Sequence, residues 1–176
     1  MIEKLNYKHN KNIILEGKTL NGQGVGNLAK CRYGLFPMSY NGCEIIAVYN
    51  FRQLLGIPAP LCDVAKEIYP YGNAIMGLFG TVPQALKKYF KDNNISVFKE
   101  NNFYKFRNTF ETKKYGIISF WNANNIFHGL HTVAIEKTPD GIKVYNKSNK
   151  ASNPVVYKSL DYYIDADRFI CGYYHN

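Results

Sequence analysis

The sequence predicts an α+β protein in which N-terminal helices pack on a mostly antiparallel sheet, and three observations predict it. Helical periodicity is concentrated between Gly42 and Lys91. Runs rich in β-branched and aromatic residues follow from Ile95 onward. Segregation of helices from strands favours an antiparallel sheet over alternating parallel units. With 176 residues, 46% of them hydrophobic and 15% aromatic, the chain is long and apolar enough to bury a core. No repeat and no Pro- or Ser-rich linker divides it, so one domain is expected over residues 1–176.

Residues 1–40 are polar and glycine-rich and are expected to form short strands and loops. Within them NGQGVGN lacks the glycine spacing of a dinucleotide fingerprint and reads as a flexible loop. From Gly42 to Leu55 the run GCEIIAVYNFRQLL is helical, with Ile46, Tyr49 or Asn50, Phe51 and Leu54 near one face. Gly56 ends it, Pro58 prevents continuation, and Asn41 stands at the N-cap position. Leu61–Tyr69 is a second helix, ended near Pro70. Thr81 followed by Gln84 forms a capping-box pattern, with Pro83 in the first turn of a helix reaching Tyr89 to Lys91. Strands are expected at Ile95–Phe98, Tyr115–Trp121, His131–Glu136, Ile142–Tyr145 and Phe169–Tyr174. The Tyr-rich tail supplies a helix turn and the last of these strands.

Composition narrows the function. No stretch approaches the roughly 18 apolar residues of a membrane span, and the start, MIEKLNYKHNKN, has no apolar run of a secretory signal, so a cytoplasmic protein is expected. The net charge of +9 would attract anions, but Lys and Arg are scattered with only short pairs, and no specific nucleic-acid site is expected. Cys31, Cys43, Cys62 and Cys171 include no CxxC or CxxH pair, which argues against zinc and for free thiols. No metal and no cofactor is expected.

Cys43 falls in the first turn of its helix, where the helix dipole favours a thiolate. His9 and His175 lie near the termini, which leaves His128 and His131 as candidate bases. His131 opens the strand HTVAI, followed by the turn TPDG and the strand IKVYN. An even-numbered loop puts His131, Val133 and Ile135 on one face with Ile142, Val144 and Asn146, leaving Thr132, Glu136, Lys143 and Lys147 on the other. Asn146 is then expected to orient the imidazole through its amide oxygen. Cys, His and Asn divide labour as nucleophile, base and tautomer-fixing group. His128 and Trp121 with Asn122 are weaker candidates for the mouth and wall of a cleft.

The motifs NGCEIIAVYN, HTVAIEK and KVYN, in that order over residues 37–148, resemble papain-like cysteine peptidases, nearest the branch of the bacteriocin-leader peptidases. The resemblance implies a papain-like fold and a thiol-dependent peptidase or amidase acting on a peptide or protein substrate, with Cys43, His131 and Asn146 as its catalytic set. Two residues depart from the family pattern. Pro37 stands where the family has an oxyanion-hole Gln, and Glu44 follows the nucleophile where a small or aromatic residue is usual. An oxyanion donor is worth about 2.7 to 4 kcal/mol in other enzymes, and Asn41 or Ser39 is the expected substitute, beside the backbone N–H of Cys43. The same thiol would also serve an acyltransferase or transglutaminase, and the departures would suit an inactive peptide-binding module.

Overall fold

A computed structural model describes residues 1–72, 81–83, 85–123 and 129–175. The protein is α+β. Its helices are α1 (Ile2–Lys11), α2 (Met38–Asn41), α3 (Cys43–Leu54), α4 (Leu61–Gly72), α5 (Ala85–Asp92) and α6 (Phe103–Phe110). Strands β1 (Arg32–Tyr33) and β2 (Phe36–Pro37) form a small hairpin. The main sheet is built from β3 (Val97–Glu100), β4 (Tyr115–Trp121), β5 (Leu130–Thr138), β6 (Gly141–Tyr145), β7 (Val155–Tyr157) and β8 (Phe169–His175). They lie in the order β3-β8-β4-β5-β6-β7, and every neighbouring pair is antiparallel.

Both faces of this sheet are covered, which is why β4 and β5 read as continuous apolar runs. Ile117, Ala134, Tyr145, Cys171 and Tyr173 pack with Ile45, Ile46, Val48 and Phe51 of α3 and with α4 and α5. Ile118, Phe120, Val133, Ile135, Ile142 and Val144 pack on Phe103, Phe106 and Phe110 of α6. Alternate residues of each strand thus serve opposite cores.

The sequence expectations hold for the β4, β5, β6 and β8 regions and for α3, and fail at identifiable places. Residues 2–11 are helical where loops and strands were expected. The face α1 presents is polar: Asn6 Nδ2 donates to the Gly34 carbonyl at 2.7 Å, and the Asn10 amide pairs with the backbone of Arg32 at 2.8 and 2.9 Å. A helix docked through asparagines carries no apolar stripe to read. Helix α6 was also unexpected, although Phe103, Phe106 and Phe110 have helical spacing and the Asn102 side chain caps the helix by accepting from Lys105 N–H at 3.0 Å. Helix α4 continues through Pro70 to Gly72, and β7 was not foreseen. The capping-box partner Gln84 lies outside the described residues. Helix α3 is buried nearly all round, including Glu44 and Asn50, instead of on one face. Its N-cap is Gly42, with Asn41 closing α2. Among the described residues no helix is long and apolar enough to cross a membrane.

Candidate active site

Cys43 is placed by a compact lead-in. The β1–β2 hairpin turns through Gly34 at φ 58°, and Met38 N–H donates to the Cys31 carbonyl at 2.7 Å. Helix α2 then closes on Gly42, whose missing side chain is required: a Cβ there would lie 2.6 Å from Met38 Cβ and 2.7 Å from its oxygen. The chain enters α3 with the backbone of Cys43 and Glu44 near enough to the Cys43 sulfur to favour its ionised form.

The sulfur rests against the edge of β5. The β5–β6 ladder stops at Ala134↔Tyr145. Beyond it the Cys43 thiol donates to the Leu130 carbonyl at 3.9 Å, with the Thr132 backbone near enough to favour its ionised form. These two backbone groups flank His131. Cys43 keeps some solvent exposure, but the surrounding protein pushes its thiol up to about 12, burial acting first and the Glu44 carboxyl second.

His131 is 8% exposed and stands edge-on to Phe120, its cross-strand partner, with ring centroids 5.8 Å apart. Burial holds its pKa below the ordinary 6.5, against the opposing pull of the Asn146 and Lys147 backbone. The hairpin has the expected parity: Thr138 pairs with Gly141 and Ile135 with Val144. Asn146, however, leaves the strand in the left-handed region at φ 57°. It is the backbone carbonyl of Asn146, not the expected amide, that meets the ring, accepting from His131 Nε2 at 2.8 Å. A carbonyl only accepts, so Nε2 carries the proton and Nδ1 the lone pair. Among the described residues no hydrogen bond joins the imidazole to the thiol.

The Asn146 side chain turns to Gln23. Its Oδ1 accepts from Gln23 N–H at 3.1 Å, its Nδ2 donates to Gln23 Oε1 at 2.9 Å, and its own N–H donates to Asn21 Oδ1 at 2.8 Å. Gln23 is the residue that sequence reading missed by treating NGQGVGN as a flexible loop. A signal was present in Asn50, a polar residue in the middle of apolar α3. Its amide pairs with both Leu20 N–H and Leu20 C=O, at 2.7 and 2.8 Å, and fixes the entry to that segment.

The other expected residues fall as follows. Asn41 Nδ2 donates to the Tyr33 carbonyl at 2.9 Å, which ties its amide to β1. The Ser39 carbonyl accepts from Gln23 Nε2 and Asn149 Nδ2. Pro37 ends β2 and is exposed. Trp121 pairs with Leu130, so it flanks the strand position that receives the thiol. His128 lies outside the described residues. Glu44 is buried, and its Oε1 has no hydrogen-bond partner among the described residues. Burial raises its pKa well above the ordinary 4.5, against the opposing pull of the Thr81 backbone. Among the described residues no three His, Cys, Asp or Glu side chains gather where they could hold a metal ion.

No family model matches the chain, and no curated protein matches it.

Proposed function

We propose that the protein is a thiol-dependent hydrolase of the papain-like type, a peptidase or amidase acting on a peptide or protein, with Cys43 as nucleophile and His131 as base. The observation that carries this reading is the 2.8 Å contact of His131 Nε2 with the Asn146 carbonyl. With Nε2–H anchored on the Asn146 carbonyl, Nδ1 is the basic nitrogen, and it belongs to the residue whose two neighbours in the strand hold the Cys43 sulfur. Nδ1 takes the thiol proton as sulfur attacks the substrate carbonyl, and the N–H of Cys43 at the start of α3 stabilises the oxyanion. The leaving amine takes the proton back, and water cleaves the thioester by the reverse sequence. Because thiol and imidazole are both neutral at rest, proton transfer accompanies attack instead of preceding it. Asn146 contributes by fixing the tautomer. We place the protein in the cytoplasm, where its four thiols would stay reduced.

Alkylation with iodoacetamide tests the nucleophile. Despite its raised pKa, Cys43, the least buried of the four thiols and the one beside the proposed base, should label well ahead of the buried Cys31, Cys62 and Cys171, and Cys43→Ala should abolish turnover of a peptide library. Equal labelling of all four would overturn the assignment. Challenging a trapped acyl-enzyme with amine and with water separates hydrolysis from acyl transfer by the same thiol.

A second reading, a peptide-binding module without turnover, draws on the raised Cys43 pKa and on the thiol's bond to Leu130 in place of the imidazole. Peptide binding that survives Cys43→Ala, with no acyl-enzyme at any substrate concentration, would establish it.

A further inference from the structure

Gln23 touches both halves of the site at once. On the base side its backbone N–H and Oε1 match the two ends of the Asn146 amide, at 3.1 and 2.9 Å. On the nucleophile side its two Nε2 hydrogens go to the carbonyls of Met38 and Ser39, each at 3.1 Å, in the short helix that leads into Cys43. The side chain is 3% exposed and both of its amide donors are used. We infer that Gln23 is a positioning residue that sets the separation of base and nucleophile, by locking the Asn146 carbonyl that holds His131 to the turn that delivers Cys43.

The glycines around it serve this contact. Gly22 is in the left-handed region at φ 65°, and a Cβ there would meet Val25 Cγ2 at 2.8 Å. Gly24 donates its N–H to the Asn149 carbonyl at 3.0 Å, and a Cβ would lie 3.1 Å from that oxygen. The backbone of residues 22–24 thus lies close against residues 149–151, which presents Gln23 to Asn146. Buried amides with every group paired hold one geometry, because breaking any bond leaves an unsatisfied partner. Asn149 also donates to the Ser39 carbonyl, at 2.8 Å, but it is exposed and its amide does not reach Asn146. It is therefore the natural control.

The inference rests on the reading of Cys43 and His131 as nucleophile and base, and its test uses readouts that need no substrate. ¹⁵N NMR of the His131 ring reports the tautomer, and the pH profile of Cys43 alkylation by iodoacetamide reports the thiol's access to a base. In Gln23→Ala the Nε2–H tautomer should give way to a mixture and alkylation should slow on the order of tenfold, since displacements near 1 Å cost factors of this size or larger. Gln23→Glu keeps the acceptor for Asn146 Nδ2 and loses both donors to Met38 and Ser39, so its tautomer should hold while alkylation slows. Asn149→Ala should match the wild type in both. A folded Gln23→Ala with the wild-type tautomer and alkylation profile overturns the inference. If that variant does not fold, wild-type alkylation in Gln23→Glu overturns it. A wild type that hydrolyses no peptide counts against the hydrolase alone, because the tautomer readout is unaffected.

Discussion

The Nε2 of His131 lies 2.8 Å from the backbone oxygen of Asn146, and this one bond decides which ring nitrogen can act as a base. It also bears on pH. Burial lowers the His131 pKa below 6.5, so the folded state holds this proton less tightly than the unfolded chain does. Between the folded value and 6.5 the unfolded state binds more proton. The stability contributed by the neutral ring is therefore complete above 6.5 and is lost as pH falls through the folded value. Turnover should share this limb, holding down past 6.5 and falling only at lower pH. A kcat/KM profile and urea midpoints of wild type and His131→Gln check both, and an activity limb at or above 6.5 would contradict the assignment.

Glu44 should titrate in the opposite sense. Its folded pKa is raised, so stability is complete below 4.5 and is lost as pH rises through the folded value. Among the described residues, the groups that feel its charge are the Cys43 and Cys171 thiols and the Tyr33 and Tyr173 hydroxyls, none of them a cation. Glu44→Gln keeps an oxygen for the Thr81 backbone and removes the ionisable group. It should stabilise the protein at alkaline pH by about 1–3 kcal/mol, with a gain of roughly 2–4 °C in Tm per kcal/mol, and little at pH 4.5. Removing the acid should also lower the Cys43 pKa, visible as a shift in thiolate absorbance. A variant less stable than wild type at every pH would show that the carboxyl has a partner it needs.

What was legible in the sequence is what local periodicity controls. The helix at Cys43, the strands on either side of the His131 hairpin and the hairpin's parity all follow from alternation and spacing within about ten residues. The sequence concealed contacts made by backbone groups and by amides across long separations. Asn146 reads as a side chain on the end of a strand, yet its positive φ turns the side chain away and offers the carbonyl. Gln23 reads as loop because its three partners, Met38, Ser39 and Asn146, lie 15 to 123 positions away. Helix α1 escaped notice because asparagine amides dock it.

Gly42→Ala should injure function more than its small size suggests. The added methyl would collide with Met38 Cβ and its carbonyl at 2.6 and 2.7 Å, which forces α2 away from the start of α3 and moves Cys43. Overpacking of this kind costs about 1–3 kcal/mol. Gly56→Ala is the comparison: the site is open, so only the left-handed backbone at φ 74° is strained, at about 1–2 kcal/mol. The two variants should lose similar stability by urea midpoint, but only Gly42→Ala should lower turnover and Cys43 alkylation. Equal loss of turnover in both would mean that Gly42 acts through stability alone.

Replacements at Asn146 separate a side-chain role from a backbone role. Were the amide to hold the imidazole directly, Asn146→Gly and Asn146→Ala would remove it equally and do equal harm. The bond instead comes from the carbonyl of a residue at φ 57°, a conformation that Asn tolerates, Gly adopts freely and Ala resists. Both variants lose the pairing with Gln23, so both should fall below wild type. Asn146→Gly should keep the backbone turn but, like Gln23→Ala, lose part of the Nε2–H tautomer with the pairing to Gln23, whereas Asn146→Ala adds about 1–2 kcal/mol of strain at that turn and should lose more of it. Neither should approach the loss in Cys43→Ala, because an orienting residue sets a geometry while Cys43, as the proposed nucleophile, makes the bond. Turnover and His131 ¹⁵N shifts measured on the same samples test the order wild type, Gly, Ala, Cys43→Ala. An Asn146→Ala variant equal to or better than Asn146→Gly would return the orienting role to a side chain.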